Sequence, residues 1–128
     1  MAIQHFPAPP GPRTIPPLSY AARVGNLLFV SGLPGYDTEG KLALGDFPAQ
    51  FREVIRTLHE VLAAAGADTR RIVKANVYLI RADDVAEMNR LYGEALGPAP
   101  YPARTTCVVA ALPNPEMLIE IECVVDLS

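Results

Sequence analysis

Histidine and cysteine are scarce in this chain, two of each in 128 residues. His5 sits in a proline-rich stretch and His59 at the margin of a helical apolar stripe, with no third ligand type clustered near either. A protein-held metal is therefore not expected, and His59 reads as a half-buried boundary residue. GxSxG, P-loop and GxGxxG patterns are also missing, which removes the nucleophile elbow and the common phosphate cradles. "SGLPG" at 31–35 reads as a strand-to-loop turn, because no helix follows it directly. No run approaches eighteen apolar residues, so no membrane span is expected. The opening "MAIQHFPAPPGPRTIPP" lacks the apolar core of a secretory signal. Like charges never extend beyond pairs such as Asp83-Asp84 and Arg70-Arg71, and the net charge is −3. That is the reverse of the basic face a nucleic-acid binder needs. Cys107 and Cys123 lie in β-branched runs and read as reduced core residues. These exclusions leave a cytoplasmic protein with no metal, nucleic-acid or membrane partner.

What is present is globular composition, half apolar and one-fifth charged. The length suits one domain whose core needs no disulfide. Nearly half of the 13 prolines precede residue 18. Residues 1–17 therefore read as a surface arm that cannot be helical, and residues 18–128 as the domain. "YAARVGNLLFVSG" reads as two strands joined at Gly25-Asn26. "LPGYDTEGKLAL" reads as a loop leading into a short strand.

The clearest helix follows, with Asp46 as N-cap, Pro48 in the first turn and Gly66 at the close. Phe47, Phe51, Val54, Ile55, Leu58, Val61, Leu62 and Ala65 fall on one stripe at helical spacing. "RIVKANVYLI" is β-branched and reads as a strand. A second helix starts at Asp83 or Asp84 and stops at Gly97-Pro98. "RTTCVVAAL" and "EMLIEIECVVDL" read as a final hairpin turning at Pro113-Asn114-Pro115.

One sheet with two helices has one face covered. On the other face the alternation brings Leu118, Glu120, Glu122 and Val124 together with Ile72, Lys74, Asn76, Tyr78 and Ile80. Half apolar and half polar, such a face suits a subunit interface with wet pockets. An oligomer is expected, most simply a closed ring.

Charged residues inside strands are the remaining candidates for chemistry. Arg104 enters an apolar run with no acidic residue between Glu94 and Glu116. Lys74 and Glu122 read as rim or solvent-exposed, whereas Glu120 in "MLIEIECVV" is apolar-flanked on both sides. A hairpin at Asn114 places Glu120 opposite residue 108, on the same side of the sheet as Arg104 and about 13 Å away. The two then face one pocket with room for a small molecule. Arg104 grips a carboxylate through its planar fork and Glu120 acts beyond it, unless each instead pairs with a neighbouring subunit. Cys107 alternates to the face opposite Arg104 and Thr106 and reads as packing rather than nucleophile.

Together, "SYAARVGNLLFVSGLPG", "AQFREVIRTLHEVLAAAGA", "IVKANVYLI", "MNRLYGEALG", "PYPART" and "IEIECVV" resemble the reactive intermediate deaminases, the Rid, YjgF-like or endoribonuclease L-PSP family. The likeness spans about residues 18 to 125. It implies a chorismate-mutase-like α+β fold, a single mixed sheet with two helices on one face, assembled as a homotrimer with clefts between subunits. It also implies hydrolysis of small carboxylate-bearing enamines and imines to 2-oxo acids and ammonia, with no cofactor. By position, the carboxylate-binding arginine falls on Arg104 and the water-positioning acid on Glu120. Gly32, Ser31, Asn89, Thr106 and Leu18 complete the implied substrate-binding set. A non-catalytic carboxylate binder on the same scaffold is the alternative, with RNA cleavage less favoured. The chain departs from the deaminating pattern at Leu18, Leu33 and Thr106, which implies a more apolar cleft. The "LPNPEM" turn is also one residue longer, which threatens the register of Glu120.

Overall fold

The computed structural model describes residues 2–128. Six strands, β1 (Gln4–Phe6), β2 (Ala21–Val24), β3 (Leu27–Pro34), β4 (Ile72–Leu79), β5 (Ala103–Val108) and β6 (Ile119–Asp126), form one sheet in the order β1-β2-β3-β6-β4-β5. The β4–β5 pair is parallel and every other pair is antiparallel. Helices α1 (Phe47–Ala64) and α2 (Val85–Leu96) supply the second layer. This is the single mixed sheet with two helices that the resemblance implied.

Local chemistry sets most element ends. The Asp46 side chain accepts the Ala49 N–H at 3.0 Å, Pro48 occupies the first turn, and Gly66 beyond the last turn takes φ 75°. Gly25 at φ 58° makes the β2–β3 turn, a conformation that a side chain would resist. The α1 stripe buries Phe47, Phe51, Val54, Leu58, Val61 and Leu62 against β3 and β6. Truncating Phe51 to alanine should cost about 3–5 kcal/mol. His59 lies outside this stripe and is exposed rather than half-buried.

Gln50 shares the stripe and is fully buried. Its side-chain amide donates to the Ala43 and Glu116 carbonyls, and its oxygen accepts from Leu118 N–H. Those bonds anchor the approach to β6, and Asn114 donates to the Tyr36 hydroxyl at 3.1 Å. The "LPNPEM" segment is thus anchored within this connection.

Tertiary pairing overrides four expectations. The last two strands form no hairpin: β6 inserts between β3 and β4, and β5 lies parallel on the far side of β4. Parallel strands require a crossover, and α2 supplies it. The proline-rich arm also contributes β1, whose Gln4, His5 and Phe6 pair with Arg23, Ala22 and Ala21. The strand expected after Glu39-Gly40 shrinks to a single Tyr36–Leu42 bridge. There Asp37 accepts the backbone N–H groups of Glu39 and Lys41, which tightens the loop. Finally, a register shift between Ile72 and Lys74 turns Ile72 into the core and leaves Val73 50% exposed, reversing their expected sides. Among the described residues no helix is long and apolar enough to cross a membrane.

Candidate active site

The residues singled out in the sequence fall into two groups, on opposite faces of the sheet. The first lies at the β5 edge on the helical side. Parallel pairing sets Arg104 beside Ala75, a core residue, so its side chain runs toward α2. There Nη2 donates to Asn89 Oδ1 at 2.7 Å, and Nη1 lies 3.6 Å from Met88 Sδ. The guanidinium carbon sits 4.8 Å above the centre of the Tyr92 ring. Amide and ring orient the fork but leave its charge uncompensated, since among the described residues no carboxylate pairs with Arg104. Thr106 follows two positions on and faces the same way. Its hydroxyl and that of Tyr92 are buried and have no hydrogen-bond partner among the described residues. Burial raises the Tyr92 phenol above its ordinary pKa, and the Arg104 charge opposes that shift.

The second group lies on the face that no helix covers. Glu120 pairs with Tyr78 of β4 and Pro34 of β3 and extends over Gly32. A methyl group built on Gly32 would collide with Glu120 Oε1, so the missing side chain is what admits the carboxyl group. Ser31 donates to the Ser19 carbonyl at 2.7 Å, tying β3 to the segment that carries Leu18, itself 46% exposed. Burial raises the Glu120 pKa above the usual carboxylate range, and the neighbouring Glu122 charge adds to the effect. One Glu122 oxygen accepts from Asn76 Nδ2 at 3.2 Å and also from the Tyr78 hydroxyl. The second bond pushes the Tyr78 pKa up to about 12. Lys74 donates to Thr105 at 2.7 Å, and Cys107 is exposed on the same face.

Arg104 and Glu120 therefore do not share a side of the sheet, contrary to the hairpin argument. With β4 between them, β5 and β6 each present alternate residues independently. Asn89 and Thr106 accompany Arg104, whereas Gly32 and Ser31 accompany Glu120. Leu33 is wholly buried in the core and cannot make a cleft apolar. Cys107 is not a core residue, because its face lacks a helix. Cys123 is buried, and desolvation pushes its thiol up to about 12. The sequence reading also missed Tyr92, Asn76 and Tyr78 as members of these groups. Tyr92 lies on the buried face of α2 with Met88 and Leu91, where nothing local separates it from core, while Asn76 and Tyr78 acquire roles only through cross-strand pairing.

A separate cavity of about 340 Å³ lies between the N-terminal arm and α1. Arg13 enters it, stacked 3.8 Å over the Tyr36 ring and bonded to the Tyr20 hydroxyl. Neither Arg104 nor Glu120 lines it.

The sequence and the fold have counterparts among known proteins. A RutC family protein of Pyrococcus abyssi is 40% identical over 114 residues, 88% of each chain. Reactive Intermediate Deaminase A, chloroplastic, of Arabidopsis thaliana is 38% identical over 117 residues, covering 91% of this chain and 62% of that protein. The crystal structure of RidA from the Antarctic bacterium Psychrobacter superposes with a TM-score of 0.81 at 34% identity, over 91% of this chain and 93% of that one. The family described as Endoribonuclease L-PSP matches residues 10–127, and with nearly the whole sheet and both helices inside that span, the chain belongs to this family, the Rid or YjgF-like proteins.

Proposed function

We propose that this protein hydrolyses small carboxylate-bearing enamines and imines to 2-oxo acids and ammonia, in clefts formed between subunits of a homotrimer. The observation that carries this reading is the uncompensated Arg104 guanidinium, oriented by Asn89 and Tyr92 and open to a planar anion. Glu120 is the second element, a carboxyl group with a raised pKa on the uncovered face. Because the two point to opposite sides in one chain, a single substrate meets both only if they come from adjacent copies. The uncovered face favours such assembly, since Leu27, Phe29 and Val73 there are about half exposed.

The chemistry follows from these parts. Arg104 holds the substrate carboxylate, which presents the adjacent C=N carbon. For an enamine, a proton delivered to the terminal carbon first gives the iminium. Glu120 then takes a proton from water as its oxygen bonds to the iminium carbon. Returning that proton to nitrogen breaks the C–N bond: ammonia leaves, Glu120 accepts the hydroxyl proton of the adduct, and the carbonyl of the 2-oxo acid remains. General acid–base help of this kind contributes roughly 10²- to 10⁴-fold.

The test couples an imine-generating dehydratase or amino-acid oxidase to the purified protein and follows imine loss. Arg104→Ala should remove the acceleration; equal decay with and without wild-type protein would end this reading. The separation of Arg104 from Glu120 favours a second reading, a binder of small carboxylates that needs the arginine alone. In that case 2-oxo acids should raise the melting temperature of wild type and Glu120→Gln equally, with no turnover. The RNA cleavage named in the family description is disfavoured by a net charge of −3.

A further inference from the structure

Beside Glu120, on the face no helix covers, lies a group of side chains that the proposed reaction does not yet use. Glu120 and Glu122 are two residues apart on β6 and project from the same face, so their Cα atoms are only about 7 Å apart. Their surroundings differ. Glu122 Oε1 receives two donors from β4, Asn76 Nδ2 and the Tyr78 hydroxyl. Glu120, packed over Gly32, receives no protein donor among the described residues. Two donors converging on one oxygen is an arrangement that suits a carboxylate anion, whereas a carboxyl group without donors suits the protonated form.

We infer that Tyr78, Asn76 and Glu122 act as positioning residues for Glu120: they hold a fixed anion beside it, so that Glu120 is the member of the pair that carries and delivers the proton. Two carboxyl groups in unlike surroundings divide into acid and base in this way. The other groups on this face do not cancel the arrangement. On β4, Lys74 is engaged by Thr105. On β5, Cys107 lies beside Tyr78, and on β3 Ser31 and Gly32 carry no titratable group. The raised Glu120 pKa, caused first by burial and then by Glu122, agrees with this division.

For the proposed deaminase, on which this inference rests for its catalytic meaning, Glu120 would enter the cycle as the acid. It gives its proton to the terminal carbon of an enamine, forming the C–H bond as the iminium appears. It takes a proton from the attacking water, passes it to the departing nitrogen, and recovers the hydroxyl proton of the adduct as the carbonyl forms, so the carboxyl group is restored at each turnover and no further reactant is consumed.

The test is carbon-13 NMR titration of the glutamate carboxyl groups in the full-length protein, with Glu120 assigned by loss of its signal in Glu120→Gln. Glu122→Gln should move the Glu120 midpoint to lower pH, and the pH profile of kcat/KM should move the same way while the substrate KM holds. Tyr78→Phe, which removes one of the donors to Glu122, should alter the Glu120 step as well. If the Glu120 midpoint is unmoved in Glu122→Gln, the inference is wrong and the network is only a clamp between β4 and β6. Should Glu122→Gln fail to fold, an unaltered Glu120 step in Tyr78→Phe overturns it equally. Shifted titrations in a protein that never accelerates imine hydrolysis would refute the deaminase while leaving the carboxyl pair standing.

Discussion

Substituting Gly32 by alanine should separate activity from stability. Gly32 does not adopt positive φ, so alanine incurs no left-handed strain, and the loss of glycine freedom in the unfolded chain stabilises by about 0.4–1 kcal/mol. The new methyl group would overlap Glu120 Oε1 and lie 3.4 Å from Glu120 Cδ. The obstacle is the far end of a flexible side chain, so the carboxyl group can swing away at little cost to the fold. Relieving the overlap takes a displacement of about 1 Å, and a misplacement of that size costs roughly 100-fold in rate. Urea denaturation of Gly32→Ala should therefore fall within about 1 kcal/mol of wild type. The coupled imine assay should lose most of the acceleration, approaching the rate of Glu120→Gln. Full activity with intact stability would refute the placement of Glu120 over Gly32 as the working geometry.

Further outcomes are expected elsewhere. Arg104→Lys keeps the charge but loses the planar fork held by Asn89 and the stacking on Tyr92, so affinity for 2-oxo acids in a thermal-shift titration should fall toward that of Arg104→Ala. Gln50→Ala strips three hydrogen bonds from the Ala43, Glu116 and Leu118 backbone, at roughly 1 kcal/mol each, and denaturation should report a loss of about 3 kcal/mol. In a Cys107→Ser background, Cys123 should stay unreactive to thiol reagents until the chain unfolds, because burial holds its pKa near 12. The Tyr78–Glu122 bond favours the neutral phenol: its folded pKa, about 12, lies above the ordinary 10 of an unfolded chain. Its contribution should be complete below pH 10 and vanish as pH rises through 12, which denaturation of wild type and Tyr78→Phe across that window would detect. Light scattering at micromolar concentration should find an oligomer rather than a monomer.

Signals written within a few residues of one another were legible in the sequence. The Asp46 cap, Pro48, Gly66 and the α1 stripe needed only helical periodicity, and Gly25 needed only its turn. Arg104 stood out because a cation in an apolar run must find a compensating group or face a void. The candidate residues near it were found by resemblance, and the structure divides them between two faces. A proline-flanked turn at 113–115 looked sufficient to pair β5 with β6, yet β5 had a competing partner in β4, reached through α2. Nothing local distinguishes those pairings, because strand order is decided by how all six strands and both helices bury their apolar faces together. The bulge at Ile72 and Lys74 is likewise invisible in alternation, which assumes an unbroken ladder.

The sequence by itself determined both helices and the strands β2 to β6, where α1 begins and ends, and which charged residues are too apolar in setting to be ordinary surface. Only the tertiary structure decided that Arg104 and Glu120 point apart, that Gly32 makes room for one of them, and that Tyr78 and Asn76 reach Glu122. The physical reason is that a side chain's direction in a sheet depends on its partner strand and register, and those are properties of the whole packed chain.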